Sequence, residues 1–326
     1  MNKPILAIVV PCYNEESVLP QTAAIFIKKI SALVAGGVID VRSFILFCDD
    51  GSKDRTWRII SDLSAGNPMV KGISLSRNRG HQNALLAGLM SAYRHADAVV
   101  SLDCDGQDDI NAIDEMLRKY TDGADVVYGV RNRRVSDTWF KRVTAESFYR
   151  LMVWLGADVV YNHADYRLLS KRVLESFSKY GEVNLFLRGL FPLVGYRSDV
   201  VYYERHERMG GESHYPFLKM LGFAWDGITS LSIKPIRIIS ILGVIMAFCG
   251  MTMVGWCFYS YFSGLAVPGW ASNVIMCSMI GGVQLISLGV IGEYVGKIYL
   301  ETKRRPRFAI GDTVGDIAAI SDRHTD

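Results

Sequence analysis

Residues 98–109 read AVVSLDCDGQDD, a short unbroken apolar run that gives way to an acidic turn. The run is too short for a helix and does not alternate, which is how a strand covered on both faces reads. Earlier stretches repeat the form. ILAIVV (5–10) runs into PCYNEE, FILFC (44–48) into DDGSKDRT, and GISL (72–75) into SRNRG, while 126–129 (VVYG) is a fifth strand. Between them 17–34, 54–65, 82–94 and 109–120 have helical spacing. This alternation predicts an α/β fold, a Rossmann-like, mostly parallel sheet with helices on both faces. In such sheets ligands bind at the carboxyl ends of strands. The first four strand ends are all crowded with polar groups. One such cluster would read as a solvated turn, but four in succession point to a site.

The 36 Lys and Arg and the 33 Asp and Glu all lie outside residues 238–292. The chain is therefore two materials joined end to end, and its mean hydropathy of +0.17 averages over both. Disorder, collagen and a disulfide miniprotein are excluded. A net charge of +3 is too small for a broad nucleic-acid surface, so no nucleic-acid partner is expected. Cys12, Cys48 and Cys104 fall in or beside apolar runs, and Cys249, Cys257 and Cys277 lie in the uncharged segment. None has CxxC spacing, so they read as buried thiols in a reducing compartment. The apolar run before Pro11 is too short for a signal-peptide core, which predicts a cytoplasmic N-terminus.

From about residue 131 basic and aromatic helices are expected, in RNRRVSDTWFKR (131–142), DYRLLSKRV (165–173), FLRGL (186–190) and the stretch YYERHERMGGESHY (202–215). Four segments follow from the pattern. Residues 1–215 form a cytoplasmic catalytic domain, and 216–235 an amphipathic helix at the membrane surface. Residues 236–300 hold two transmembrane helices, 236–262 and 273–295, joined by the short neutral SGLAVPGWAS, and 301–326 is a cytoplasmic tail. Lys234 and Arg237 precede the first span and Lys297, Lys303, Arg304, Arg305 and Arg307 follow the second. By the positive-inside rule both flanks, and hence both termini, are cytoplasmic.

Asp103 and Asp105, two residues apart at the fourth strand end, can converge on one hard divalent cation, Mg²⁺ or Mn²⁺, leaving positions open for phosphate oxygens. The D-x-D spacing alone is weak. It gains strength from Asp49 and Asp50 at the second strand end and from Asn14 and Glu15 at the first, which can hold a base and ribose beside the metal. No GxGxxG or GxxxxGK[ST] is present, so dinucleotide and P-loop readings lose their glycine loops.

Taken together, VVPCYNEE (9–16), DDGSKDRT (49–56), SRNRGHQNALLAGL (76–89), DCDGQD (103–108), DYRLLS (165–170) and ERMGGESHY (207–215), followed by paired spans, resemble the family 2 glycosyltransferases that make polyprenyl-phosphate-linked sugars. The resemblance covers residues 5–307. It implies a GT-A fold and inverting transfer of a hexose from a nucleotide sugar to undecaprenyl or dolichyl phosphate, here at a bacterial cytoplasmic membrane. Carried over by motif, Pro11, Tyr13, Glu15, Asp50 and Asp103 would hold the nucleotide sugar. Asp103, Asp105 and Gln107 would hold the metal, with Asp105 catalytic through it. Arg131, with Arg134 and Arg142, would sit near the acceptor phosphate. His214 stands where relatives commonly carry Lys, which makes a cation there pH-dependent. The QxxRW pattern of processive synthases is absent, so one sugar per acceptor is expected.

A polyprenyl phosphate is already an oxyanion at neutral pH and needs no strong general base. Two anions must nevertheless meet, and arginines beside the acceptor are expected on electrostatic grounds. The pool is Arg131, Arg167, Arg188, Arg205 and Arg208. Asp165 can orient one of them or act as a weak base. UDP-glucose is the expected donor, ahead of UDP-N-acetylglucosamine and GDP-mannose. The rivals in other classes are a non-catalytic nucleotide-binding membrane scaffold and a lipid carrier. The small membrane footprint of two helices predicts a homo-oligomer.

Overall fold

The computed structural model describes residues 3–131, 163–183, 185–204, 229, 232–264 and 269–317. The chain divides into two compact units. One comprises Met1–Glu146, Asp158–Pro216 and Arg304–Asp326, the other Ser147–Ala157 and Phe217–Lys303.

The first unit is built on an eight-stranded sheet. Its first four strands are β1 (Leu6–Cys12), β2 (Phe44–Asp49), β3 (Val70–Leu75) and β4 (Ala98–Ser101), all parallel and alternating with α1 (Leu19–Ala35), α2 (Thr56–Gly66) and α3 (His81–Ala92). α4 (Ala112–Thr121), β5 (Val126–Arg131), β6 (His163–Ser170), α5 (Lys171–Phe177), α6 (Leu187–Leu193) and β7 (Ser198–Tyr203) follow. The expected βα order holds in element type, with ends moved by a few residues. Every residue of β1 and β2 is buried, as their unbroken apolar composition requires. α1 buries Leu19, Thr22, Ala23, Phe26, Ile30 and Leu33, one stripe at helical spacing. α3 lies directly on the sheet, because a Cβ at Gly88 would collide with Cys48 and Val9.

The strand order is β7-β5-β6-β4-β1-β2-β3-β8, where β8 is Ile310–Val314. From β1 the chain runs to β2 on one side, and β4 returns on the other, so the topological switch point lies between β1 and β4. That crevice receives the ends of the first and fourth strands together.

Cys12, Cys48 and Cys104 are buried as expected, but Cys249 and Cys277, also expected buried, are exposed on the long apolar helices. Two further findings correct the expected elements. DYRLLSKRV is not one helix: its first six residues complete β6, which pairs antiparallel with both β4 and β5, and the helix starts only at Lys171. The switch has a local cause, since the Ser170 side chain accepts a hydrogen bond from the Val173 amide and caps the helix. The second is β8. Within the segment expected as a tail, Ile310–Val314 pairs antiparallel with β3, with Phe308 and Ile317 buried beside it.

In the second unit α7 (Lys234–Phe262) and α8 (Trp270–Lys303) have 29 and 34 residues. At 1.5 Å per residue they run about 44 and about 51 Å, against a bilayer core of about 30 Å. Both are long and apolar enough to cross a membrane. Val244, Phe248, Trp256 and Leu285 are exposed along them, as lipid-facing residues would be. Of the expected surface helix, residues 216–228, 230 and 231 lie outside the described residues.

Candidate active site

The β1–α1 and β2–α2 loops are laced together. The Asn14 amide donates to Ser52 Oγ (2.9 Å), the Lys53 amide to Asn14 Oδ1 (2.9 Å) and the Glu15 amide to Thr56 Oγ1 (2.9 Å). Asn14 has φ of 54°, a left-handed conformation that asparagine tolerates better than most residues. Tyr13 projects into solvent beside it, and Pro11 lies one residue before the end of β1, opposite Cys48. Asp49 and Asp50 are buried and already engaged. Asp49 accepts from Ser74 Oγ (2.7 Å) and the Ser52 amide (3.1 Å), and Asp50 takes the Arg79 and Gly80 amides at 2.7 and 2.8 Å. Burial pushes the Asp50 carboxyl up, partly offset by those two amides. Asp50 therefore shapes the loop before α3. Gly51, at φ of 65°, permits this close meeting, because a Cβ there would stand 2.6 Å from the Arg77 carbonyl carbon.

The β4 end carries the D-x-D turn. Asp103 is partly exposed, and its acidity is displaced to about 6 by burial, opposed by His81 and reinforced by the charges of Asp108, Asp165 and Asp105. The Gln107 amide donates to Asp105 Oδ1 at 3.1 Å, folding the turn back on itself. This donor set fits a hard divalent cation: a carboxylate held by burial and like charges is relieved by a cation. Among the described residues no three His, Cys, Asp or Glu side chains gather closely enough to enclose a metal alone. A site of this kind draws its remaining ligands from phosphate and water, the usual mode of Mg²⁺.

Asp165 on β6 is a hub. It is buried and accepts from Arg167 Nη2, from Arg188 Nε (3.3 Å) and Nη2 (3.1 Å), and from Gln82 Nε2 (3.5 Å), with His81 Nε2 3.5 Å away. Burial alone would raise its pKa, but the His81 hydrogen bond and the charges of Arg167 and Arg188 bring it well below the usual carboxylate range. A carboxylate so held has little basicity, so of its two expected roles the geometry favours orienting arginines. Arg167, expected in the acceptor-phosphate pool, is entirely buried and also donates to the Leu187 carbonyl (3.2 Å). In this fold it is an internal counter-ion for Asp165.

Arg188 and Arg131 differ from Arg167 in retaining partial exposure, 34% and 25% of the side chain. Each lies within electrostatic reach of Asp103, and they lie within reach of each other. The structure thus brings Asp103, Arg131, Asp165 and Arg188 to one end of the sheet. Arg134, Arg142, Arg205, Arg208 and His214 lie outside the described residues. Sequence reasoning missed His81, Gln82, Asp108 and Tyr203. His81 and Gln82 open α3 at a strand-end loop already marked as functional, so the strand-end rule could have found them. Tyr203 carries no such signal, because its place depends on register.

A parallel-centred sheet with a D-x-D turn at its switch point, flanked by arginines, defines a GT-A nucleotide-sugar enzyme. The glycosyl transferase family 2 model matches residues 7–177, and the chain belongs to that family and is a glycosyltransferase. It is 48% identical to the uncharacterized glycosyltransferase YkoT of Bacillus subtilis, over 95% of this chain and 92% of that one. It is 39% identical to the bactoprenol glucosyl transferase of Shigella phage SfX, over 94% of this chain and 98% of that one. Among solved structures it is similar to glucosyl-3-phosphoglycerate synthase from Mycobacterium tuberculosis, at 20% identity and a TM-score of 0.45, over 70% of this chain and 79% of that one.

Proposed function

We propose that this enzyme transfers a single glucose from UDP-glucose to undecaprenyl phosphate at the cytoplasmic face of a bacterial membrane, with inversion. The reading is carried by one observation: two partly exposed arginines, Arg131 and Arg188, share the end of the sheet with the half-buried Asp103 carboxylate. A site that holds a phosphorylated donor beside paired cations suits a second, anionic substrate. The bactoprenol glucosyl transferase name of relatives and the two apolar helices support a lipid acceptor.

Chemically, a phosphate oxygen of the acceptor forms a bond to the anomeric carbon as the bond from that carbon to the donor diphosphate breaks. The electron pair leaves with the nucleoside diphosphate. No proton has to be removed from the nucleophile, which agrees with an Asp165 held too acidic to take one. Arg131 and Arg188 hold the acceptor phosphate against charge repulsion, and Asp165 fixes Arg188. Tyr13, Asn14 and Glu15 frame the nucleotide, on the rim of the first strand. Asp103 and Asp105, with Gln107 near, would hold a Mg²⁺ or Mn²⁺ ion, which would supply neutralisation of the leaving diphosphate.

The test is incubation of the purified full-length protein with undecaprenyl phosphate, Mg²⁺ and, separately, radiolabelled UDP-glucose, UDP-N-acetylglucosamine and GDP-mannose. Label passing into the organic phase from UDP-glucose is expected, and EDTA should stop it. Transfer only from another donor would replace the sugar, and no lipid-soluble product from any donor would overturn the reading.

A further inference from the structure

β5 and β7 pair in parallel with Arg131 directly opposite Tyr203. This register brings the two side chains together, since directly paired residues share a face of the sheet. Arg131 Nε donates to Tyr203 Oη (3.2 Å), and Arg131 Nη2 donates to Asp108 Oδ1 (3.3 Å). The triangle closes through Tyr203, whose hydroxyl donates to the same Asp108 oxygen at 2.6 Å. The Asp108 side chain is almost wholly buried, at 1% exposure, and its other oxygen, Oδ2, is buried with no hydrogen-bond partner among the described residues. A buried carboxylate with an unsatisfied oxygen is a costly arrangement that packing alone would not favour.

Tyr203 is fixed in turn. Its ring meets Tyr166 edge to face at 5.1 Å, and Tyr166 Oη donates to the Asp109 carbonyl (3.0 Å), the residue after Asp108. The triangle and its support thus join four segments, the D-x-D loop, β5, β6 and β7. A guanidinium gripped at two of its nitrogens has its plane set, and a planar cation recognises phosphate only in the correct plane.

We infer that Asp108 and Tyr203 are positioning residues that fix the plane of the Arg131 guanidinium for the acceptor phosphate. The inference rests on the proposed role of Arg131. It adds that the D-x-D loop, through Asp108, ties the metal-binding turn to the acceptor arginine, so the two halves of the site are set by one loop.

The test is a double-mutant cycle on full-length protein, with undecaprenyl phosphate and UDP-glucose as substrates and calorimetry for UDP-glucose binding. Tyr203→Phe keeps the ring and its contact with Tyr166 and removes the hydroxyl. It should raise the apparent KM for undecaprenyl phosphate about tenfold, the size expected for a lost hydrogen bond to a charged group, with UDP-glucose affinity unchanged. Asp108→Asn, which keeps the shape, should shift the same KM in the same direction. In an Arg131→Ala background Tyr203→Phe should add nothing, whereas a residue needed only for folding would add its full effect. Unchanged acceptor KM in both Tyr203→Phe and Asp108→Asn, additivity in the double variant, or an equal loss of donor affinity would overturn the positioning role. Were Arg131→Ala itself to leave acceptor KM unchanged, the acceptor assignment would fall and this inference with it. Silence of Tyr203→Phe and Asp108→Asn beside a responsive Arg131→Ala would remove the positioning role alone.

Discussion

The two sides of the site are built from different bonds. On the side of β1, β2 and β3 nearly every link runs between a side chain and a main-chain amide: Asn14 to Ser52, Glu15 to Thr56, Asp50 to Arg79 and Gly80. On the side of β5, β6 and β7 the links join ionised side chains: Asp165 with Arg167 and Arg188, Asp108 with Arg131. Amide-based lacing fixes loop shape whatever the pH near neutrality. Ion pairs hold charge in a chosen place, at the expense of burying it. On the proposed function, the difference teaches that the first side would serve as a mould for a ligand of fixed shape, and the second as an electrostatic trap for an anion.

The strongest way to break this contrast is to remove its hub. Asp165→Ala leaves Arg167 buried without its carboxylate, and loss of one partner of a buried pair typically removes about 3–5 kcal/mol. Urea denaturation should report a loss of that order, and a loss under about 1 kcal/mol would mean the hub is not what holds the second side together. Next in size, Asp105→Asn should lower transfer by at least about 100-fold while the urea midpoint stays put, the scale of losing a group that stabilises developing charge. Retained activity would remove Asp105 from the metal site.

On the laced side Ser52→Ala deletes one acceptor for a backbone amide and should lower stability by about 1 kcal/mol, equally at pH 6 and pH 8. A pH-dependent loss would erase the contrast. The smallest effect is the titration of the trap itself. Burial lowers the pKa of His81, but its hydrogen bond to Asp165 and the charges of Asp103 and Asp165 outweigh this and raise it. Its stabilisation is therefore complete below about 6.5, the unfolded value, and is lost as pH rises through the higher folded value. Asp165 behaves in the opposite sense, stabilising above about 3.9 and losing this as pH falls through its depressed folded value. An imidazole titration by NMR should place His81 above 6.5 in the folded protein, and His81→Gln should flatten the stability slope between pH 6 and pH 8. A folded value below 6.5 would refute the pairing.

The laced side was legible in the sequence, whereas of the trap only the members Arg131, Asp165, Arg167 and Arg188 were legible and not their pairings, for a physical reason. A parallel βα unit announces itself locally, by an apolar run, a polar strand end and a periodic helix, and PCYNEE, DDGSKDRT and DCDGQDD all sit where that rule places them. The trap depends on pairings across the sheet. Arg131 meets Tyr203 through the register of β5 with β7, and no local pattern in VVYGVR or SDVVYY reveals it. DYRLLS runs without a break into the helix that follows it, and its composition does not mark where strand gives way to helix. In the sheet Asp165 and Arg167 share one face as an internal ion pair, a burial of charge that hydrophobic pattern cannot signal. GDTV escaped notice because an edge strand with three exposed residues has little apolar content.

The place of β8 bears on how the molecule is made. Of the described strands, residues 310–314 are the last to leave the ribosome, after both long apolar helices. Until they arrive, β3 presents an unpaired edge, Lys71 lacks the Asp316 carbonyl it binds at 2.7 Å, and the pocket for Phe308 stands empty. The sheet that carries the site is thus completed only after the hydrophobic hairpin has been synthesised. The order of the sequence thus puts the two long apolar helices before the closing strand of the sheet.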